Sequence, residues 1–197
     1  EMCIRDRYEL NKRVNFEIES INGGSKTNAI PRECECIIVF NENDKSSIED
    51  IIKYVDLEIK EELKGIDDNF EIQLKSNDKK LERVFNYLTR QKLINALMLY
   101  TSGILQMSLD IQNLVETSNN LGILSTDENN KLIIFSCGVR SSIDSQVQYI
   151  AKKHEALANI LNADIKVSAV YPGWKYKESK FSNYIAETFE TIYSKPM

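Results

Sequence analysis

Residues 21–40 constrain the chain most, because two strand-like runs meet there through a junction that ordinary loop chemistry does not explain. The stretch reads Ile-Asn-Gly-Gly-Ser-Lys-Thr-Asn-Ala-Ile-Pro-Arg-Glu-Cys-Glu-Cys-Ile-Ile-Val-Phe. Gly23 and Gly24 let the backbone reach φ > 0 or approach another segment closely. Pro31 removes an N–H and biases Ile30 towards an extended shape. Cys34, Cys36, Ile38 and Phe40 then alternate on one face of a half-buried strand. Asn28 is presented at the mouth of that strand by a stiff backbone, either as part of a rigid turn or as a site residue.

Upstream, Val14, Phe16, Ile18 and Ser20 alternate with polar neighbours and predict a strand over 13–21. Downstream, Ser46 and Glu49 have capping-box spacing. Behind them Ile48, Ile51, Ile52, Val55 and Ile59 form one apolar helical stripe, with Gly65 placed to stop it. Phe70, Ile72 and Leu74 alternate as a strand. A helix is expected from about Asp78 to Tyr100, with Leu81, Val84, Phe85, Leu88, Leu97 and Met98 inward, broken at Ser102-Gly103. Residues 107–124 are extended in character, with a bulge or bend at Asn119-Asn120. Asp127 to Asn130 makes a hairpin turn into an apolar strand, Leu132 to Val139, that ends at Arg140. Ser141 or Ser142 caps a helix whose stripe runs Ile143, Val147, Ile150, Ala151, His154, Leu157, Ala158 and Leu161. Ile165, Val167 and Ala169 alternate as a last strand. Tyr171-Pro172-Gly173-Trp174 breaks it, and residues 179–193 form a final amphipathic helix through Phe181, Tyr184, Ile185, Phe189 and Ile192. The order of elements predicts an α+β fold: a two-layer sandwich, an antiparallel or mixed sheet with helices on one face.

At 197 residues, with 42% hydrophobic and 28% charged residues, the chain can build a core of its own. A net charge of −5 argues against nucleic acid, which needs a basic face. No apolar run approaches the ~18 residues of a membrane span. Four cysteines without a spaced framework point to a reducing, cytoplasmic setting. The single histidine, His154, lies on a helix stripe and reads as half-buried and structural, so a metal site wholly within the chain is not expected. Residues 1–7 fit nothing that follows and read as non-native read-through, outside the fold.

Arg140 follows an apolar strand and precedes a helix start. Its planar fork can hold a carboxylate bidentately, or pair with Asp144 nearby. Glu116, Thr117 and Asn119 can line a cleft or serve as sheet-edge residues. Trp174 reads as a packing anchor at a domain junction.

Four segments together carry a family likeness: Asn-Gly-Gly-Ser-Lys-Thr-Asn-Ala-Ile-Pro-Arg-Glu (22–33), Val-Glu-Thr-Ser-Asn-Asn-Leu-Gly (115–122), Val-Arg-Ser-Ser-Ile-Asp-Ser (139–145) and Tyr-Pro-Gly-Trp (171–174). In this order and spacing they resemble the aminoacyl-histidine dipeptidases, also called cytosol non-specific dipeptidases. The resemblance implies a fragment of a two-zinc dipeptidase. Residues 8–172 would be an inserted lid domain of the substrate-recognition and dimerisation type, and 173–197 the chain re-entering the catalytic domain. It further implies that Arg140 binds the dipeptide carboxylate, that Asn28 helps hold the scissile carbonyl or substrate backbone, and, more weakly, that Asn119 contributes. Both zinc ions and all catalytic groups would be held outside this chain, leaving it inactive alone, and a homodimer could form through the lid. The other reading is a free-standing α+β interaction or small-ligand-binding module.

Overall fold

The computed structural model describes residues 4–77, 81–129, 131–174 and 177–196. Strand β1 (Phe16–Gly23) pairs antiparallel with β2 (Cys34–Phe40), Phe16 facing Phe40 and Gly23 facing Cys34. Phe16, Ile18 and Ile21 are buried, and an irregularity between Ile18 and Ser20 shifts the alternation by one so that Ile21 also points inward. Cys34, Cys36, Ile38 and Phe40 all pack on the core, as their alternation requires.

A helix that the sequence pattern hid comes first, α1 (Arg5–Arg13). It begins inside the segment set outside the fold, and Asp6 and Arg7 are buried there as an ion pair of 2.7 Å. Leu10 is fully buried, with Ile4, Tyr8 and Val14 packed against the same core. Four apolar positions in a highly charged stretch make too thin a stripe to stand out, yet they suffice once a sheet lies beneath them. Residues 1–3 lie outside the described residues.

Helix α2 (Lys45–Leu63) buries Ile48, Ile51, Ile52, Val55 and Ile59, the whole predicted stripe. Its entry differs from the expected capping box: a 3₁₀ turn at Glu42–Asp44, with the Asn41 side chain accepting from the Asn43 amide, leads into Lys45. Gly65 stands just past the end with φ +75°, the left-handed stop its position predicted.

Residues 70–74 do not pair as a strand. The Ile72 amide donates to Asp56 Oδ1 of α2 at 2.8 Å, while Ile72 and Leu74 pack on the core. The following helix is shorter than expected, α3 (Tyr87–Leu99), started by Asn86, whose side chain accepts from the Thr89 amide. The Phe85 amide is already spent on the Ile18 carbonyl of β1, so the chain ahead of Asn86 is tied to the sheet and not coiled. With that start, the inward positions become Arg90, Leu93, Ile94, Ala96 and Leu97, while Val84, Leu88 and Met98 face outward.

Three strands complete the sheet: β3 (Gly103–Met107), β4 (Val115–Asp127) and β5 (Leu132–Ser141). Every pairing is antiparallel. β5 runs along one edge of β4, from Thr117 to Asp127. The other edge is shared between β3, near Val115 to Asn119, and β1, at Leu124. The expected bulge falls at Leu121–Ile123, just beyond Asn119-Asn120. Helix α4 (Asp144–Leu161) follows without a side-chain cap from Ser141 or Ser142, and its predicted stripe is the less exposed side, with Ile150 buried.

The alternation at 165–169 forms no strand either: Asn162 and Ala169 have φ of 52° and 54°, which no strand sustains, and Val167 is exposed. Helix α5 (Lys180–Tyr193) opens with a capping box at Ser179 and Ser182, and none of its residues is buried. The core unites Leu10, Phe16, Ile18, Ile21, Ile48, Ile52, Leu93, Leu97, Leu121 and Leu124 between sheet and helices. The body is an α+β sandwich of two layers. Ile48 and Leu97 have almost no exposed surface, so replacing either with alanine should cost about 2–5 kcal/mol, read as a lower urea midpoint at unchanged slope.

Candidate functional site

The β4–β5 register decides what shares a face. Asn120 lies opposite Gly138, and Ser118 opposite Arg140, with no irregularity between them. Alternation therefore puts Ser118, Asn120, Gly138 and Arg140 on one side of the sheet. Asn119 and Leu121 go to the other side, where the helices bury them.

The junction of residues 24–31 folds down onto the side away from the helices. A Cβ on Gly122 would stand 2.3 Å from the Lys26 carbonyl oxygen and 2.4 Å from the Thr27 Cα. One on Gly138 would come within 3.0 Å of the Thr27 oxygen, and one on Gly24 within 2.0 Å of the Gly122 oxygen. The bare backbone at these positions forms the seat, and Gly24 also needs its φ of +70°. The Ala29 amide closes the turn on the Lys26 carbonyl. Asn28 is exposed at the tip.

Arg140 shares this face. It is exposed, and among the described residues no carboxylate lies within 4 Å of its guanidinium. The salt bridge to Asp144 is not formed: Asp144 Oδ1 accepts the Gly173 amide at 2.6 Å, which ties the Tyr-Pro-Gly-Trp segment to the start of α4. Glu116 is likewise engaged, accepting from the Ser142 hydroxyl, and Thr117 Oγ1 lies 2.8 Å from Ser141 Oγ. The loop that carries Asn28 thus lies on the same side of the sheet as Arg140.

Asn119 is not with them. One residue out of phase, it is 1% exposed on the helix side, where its Nδ2 donates to the Thr101 carbonyl at 2.5 Å and approaches His154 Nε2 at 3.1 Å. An amide nitrogen that donates to a carbonyl also donates to the ring, so Nε2 is the acceptor and the imidazole proton sits on Nδ1, 3.9 Å from Cys137 Sγ. The ring stacks on Tyr100 with centroids 4.8 Å apart, beside a cavity of about 60 Å³. Burial, then the neighbouring Lys153 charge, hold the His154 pKa below its ordinary value. Burial, then Cys137, push the Tyr100 hydroxyl above its own. His154 is a half-buried structural contact. Among the described residues, no three His, Cys, Asp or Glu side chains gather to hold a metal ion. No described helix is long and apolar enough to cross a membrane.

The residue that sequence reasoning overlooked is Asn120. Asn120 stood out only as part of a bend, while its neighbour Asn119 was the site candidate. The alternation that separates the two amides was available, but which of them meets residues 24–31 depends on the register.

Comparison with known proteins agrees with this architecture. The peptidase dimerisation domain family matches residues 4–67, which contain α1, β1, β2 and α2. The cytosol non-specific dipeptidase of Escherichia coli (strain K12) is 27% identical over 187 residues, covering 93% of this chain and 38% of its own length. The resemblance to the aminoacyl-histidine dipeptidases holds. The crystal structure of aminoacylhistidine dipeptidase from Vibrio alginolyticus superposes with a TM-score of 0.82 at 26% identity, over 96% of this chain and 39% of that one. The chain spans less than two fifths of the length of these relatives.

A pH response follows from His154. Its folded-state pKa is depressed, so the stability it contributes is complete above the unfolded value near 6.5 and is lost as pH falls through the folded value. The melting temperature should decline once pH drops below about 6.5, and His154→Gln should flatten that part of the profile when both proteins are followed by circular dichroism.

Proposed function

We propose that this chain is the substrate-recognition and dimerisation portion of a zinc-dependent dipeptidase that hydrolyses dipeptides of the aminoacyl-histidine type with broad specificity. The observation that carries the reading is the presence, on one side of the sheet, of an exposed Arg140 that meets no carboxylate among the described residues and of the seated loop that presents Asn28. A dipeptide has its free carboxylate one residue from the scissile carbonyl. A guanidinium fork at a rigid strand end suits the first group, and an amide held on a stiff loop suits the second. Arg140 binds and orients the carboxylate; Asn28 holds the carbonyl oxygen or the adjacent backbone. The zinc ions belong to residues outside this chain, and the chain's own groups bind and align the substrate.

The matched family supports a homodimer, and β2 pairs on one side only, leaving an edge for a second copy. The exposed apolar side of α5, with Tyr184, Ile185, Phe189 and Ile192, fits a segment that returns to a catalytic domain and is covered there. The name of the Escherichia coli relative favours a cytoplasmic setting.

In the full-length protein, Arg140→Ala should lower kcat/KM for a dipeptide by about 10- to 100-fold, the equivalent of losing a charge-assisted hydrogen-bonded pair. The same substitution should leave hydrolysis of the C-terminally amidated dipeptide almost unchanged, since that substrate has no carboxylate to lose. The 197-residue chain by itself should release no amino acids from dipeptides. Equal losses on both substrates, or activity of the chain alone, would sink the reading.

A further inference from the structure

Asn28 projects from a loop that has almost no apolar anchorage, since residues 25–30 are all exposed. Something other than burial must hold it. The carbonyls on either side of Asn28, those of Thr27 and Ala29, both accept from one atom, Nδ2 of Asn120, at 2.8 Å each. An amide nitrogen carries two hydrogens, and both are used here. The orientation of the amide is fixed by chemistry, because its oxygen in that place would face two carbonyl oxygens.

Asn120 lies opposite Gly138, and the Ser118–Arg140 pair lies two residues along the same ladder, roughly 6.6–6.8 Å away at ordinary strand rise. The clamp and the arginine are therefore parts of one rigid element. Gly122 and Gly138 lower the sheet surface so that the loop backbone descends far enough to reach the Asn120 amide.

We infer that Asn120 is a positioning residue: by tying the two carbonyls that flank Asn28 to β4, it fixes Asn28 at a set distance from Arg140. The inference rests on the dipeptidase reading above. Asn120 has no free amide hydrogen for a substrate, so its effect passes through Asn28. Its loss should leave carboxylate capture by Arg140 intact and spoil the alignment of the carbonyl, which separates kcat from KM.

Two measurements test this. In the 197-residue chain, Asn120→Asp keeps the shape but replaces the donors with a carboxylate facing two carbonyls. Backbone amides of residues 26–30 should then change from ordered to mobile in ¹⁵N relaxation, with order parameters falling from about 0.85 to below about 0.6, while β4 and β5 keep theirs. Asn120→Ser, with a single hydroxyl hydrogen, should give an intermediate loss and serves in its place if the aspartate variant fails to fold. In the full-length protein, Asn120→Asp should lower kcat for a dipeptide about 10²-fold with a much smaller change in KM. The double variant with Asn28→Ala should be no slower than Asn28→Ala alone. An ordered loop in both Asn120 variants, or losses that multiply in the double variant, would overturn the inference. If Asn28→Ala hydrolyses dipeptides as well as the parent does, the functional reading falls and takes the inference with it. If Asn28→Ala is slow and Asn120→Asp is not, the inference alone falls.

Discussion

Everything in this molecule depends on the pairing of β4 with β5. Among the described residues β4 is the one strand that pairs with three others, and its alternation assigns each residue to the core or to the open face. Thr117, Asn119 and Leu121 turn to the helices; Ser118 and Asn120 turn away from them. The bulge at Leu121–Ile123 then resets the phase, so Leu124 returns to the core although it is an odd number of residues from Leu121. Without that reset, Leu124 would lie on the face with Asn120 and Gly122, where the loop of residues 24–31 sits.

The same alternation gives two adjacent asparagines opposite environments. Asn119 is buried, where an amide left without partners would cost one to several kcal/mol. Its nitrogen is satisfied by Thr101 and His154, and the neutral, stacked imidazole is what such a site can tolerate. Asn120 faces the loop, where it competes with water for two carbonyls and gains from having both on one nitrogen. One amide holds α4 to the sheet and the other holds the junction to it.

Much of this was legible in the residues. The stripe of α2, the alternation of β1 and β2, the β4–β5 hairpin and the serine-capped α5 carry signals strong enough to survive tertiary context, and the four motifs carried the family likeness. The failures share a cause. Phe70-Ile72-Leu74 and Ile165-Val167-Ala169 have the right period, but period two creates a strand only where an unpaired edge is within reach. Ile72 gives its amide to Asp56, and the left-handed Ala169 turns the chain away. In α3 the backbone bond from Phe85 to Ile18 decides where the helix begins, and no local pattern announces a contact across 67 residues of sequence. Asn28 and Arg140 were singled out because they sit in motifs. Their common face, and the exclusion of Asn119 from it, required the register.

The surroundings of Arg140 bear on why its fork is open. The chain carries 30 acidic against 25 basic residues, so a surface arginine has carboxylates to choose from. Arg5 pairs with Glu62 and Arg13 with Glu9, and the buried Arg7 and Arg90 pair with Asp6 and Glu17, while among the described residues the exposed Arg32, Arg83 and Arg140 meet no carboxylate within 4 Å. Near the end of β5, Asp144 accepts the Gly173 amide and Glu116 accepts the Ser142 hydroxyl. The first bond anchors the backbone at Gly173, and the second joins the start of β4 to the residue after β5 through their side chains. An exposed ion pair would have added at most about 1 kcal/mol. Leaving it unmade therefore costs the fold little, and leaves the guanidinium exposed on the side of the sheet where residues 24–31 sit.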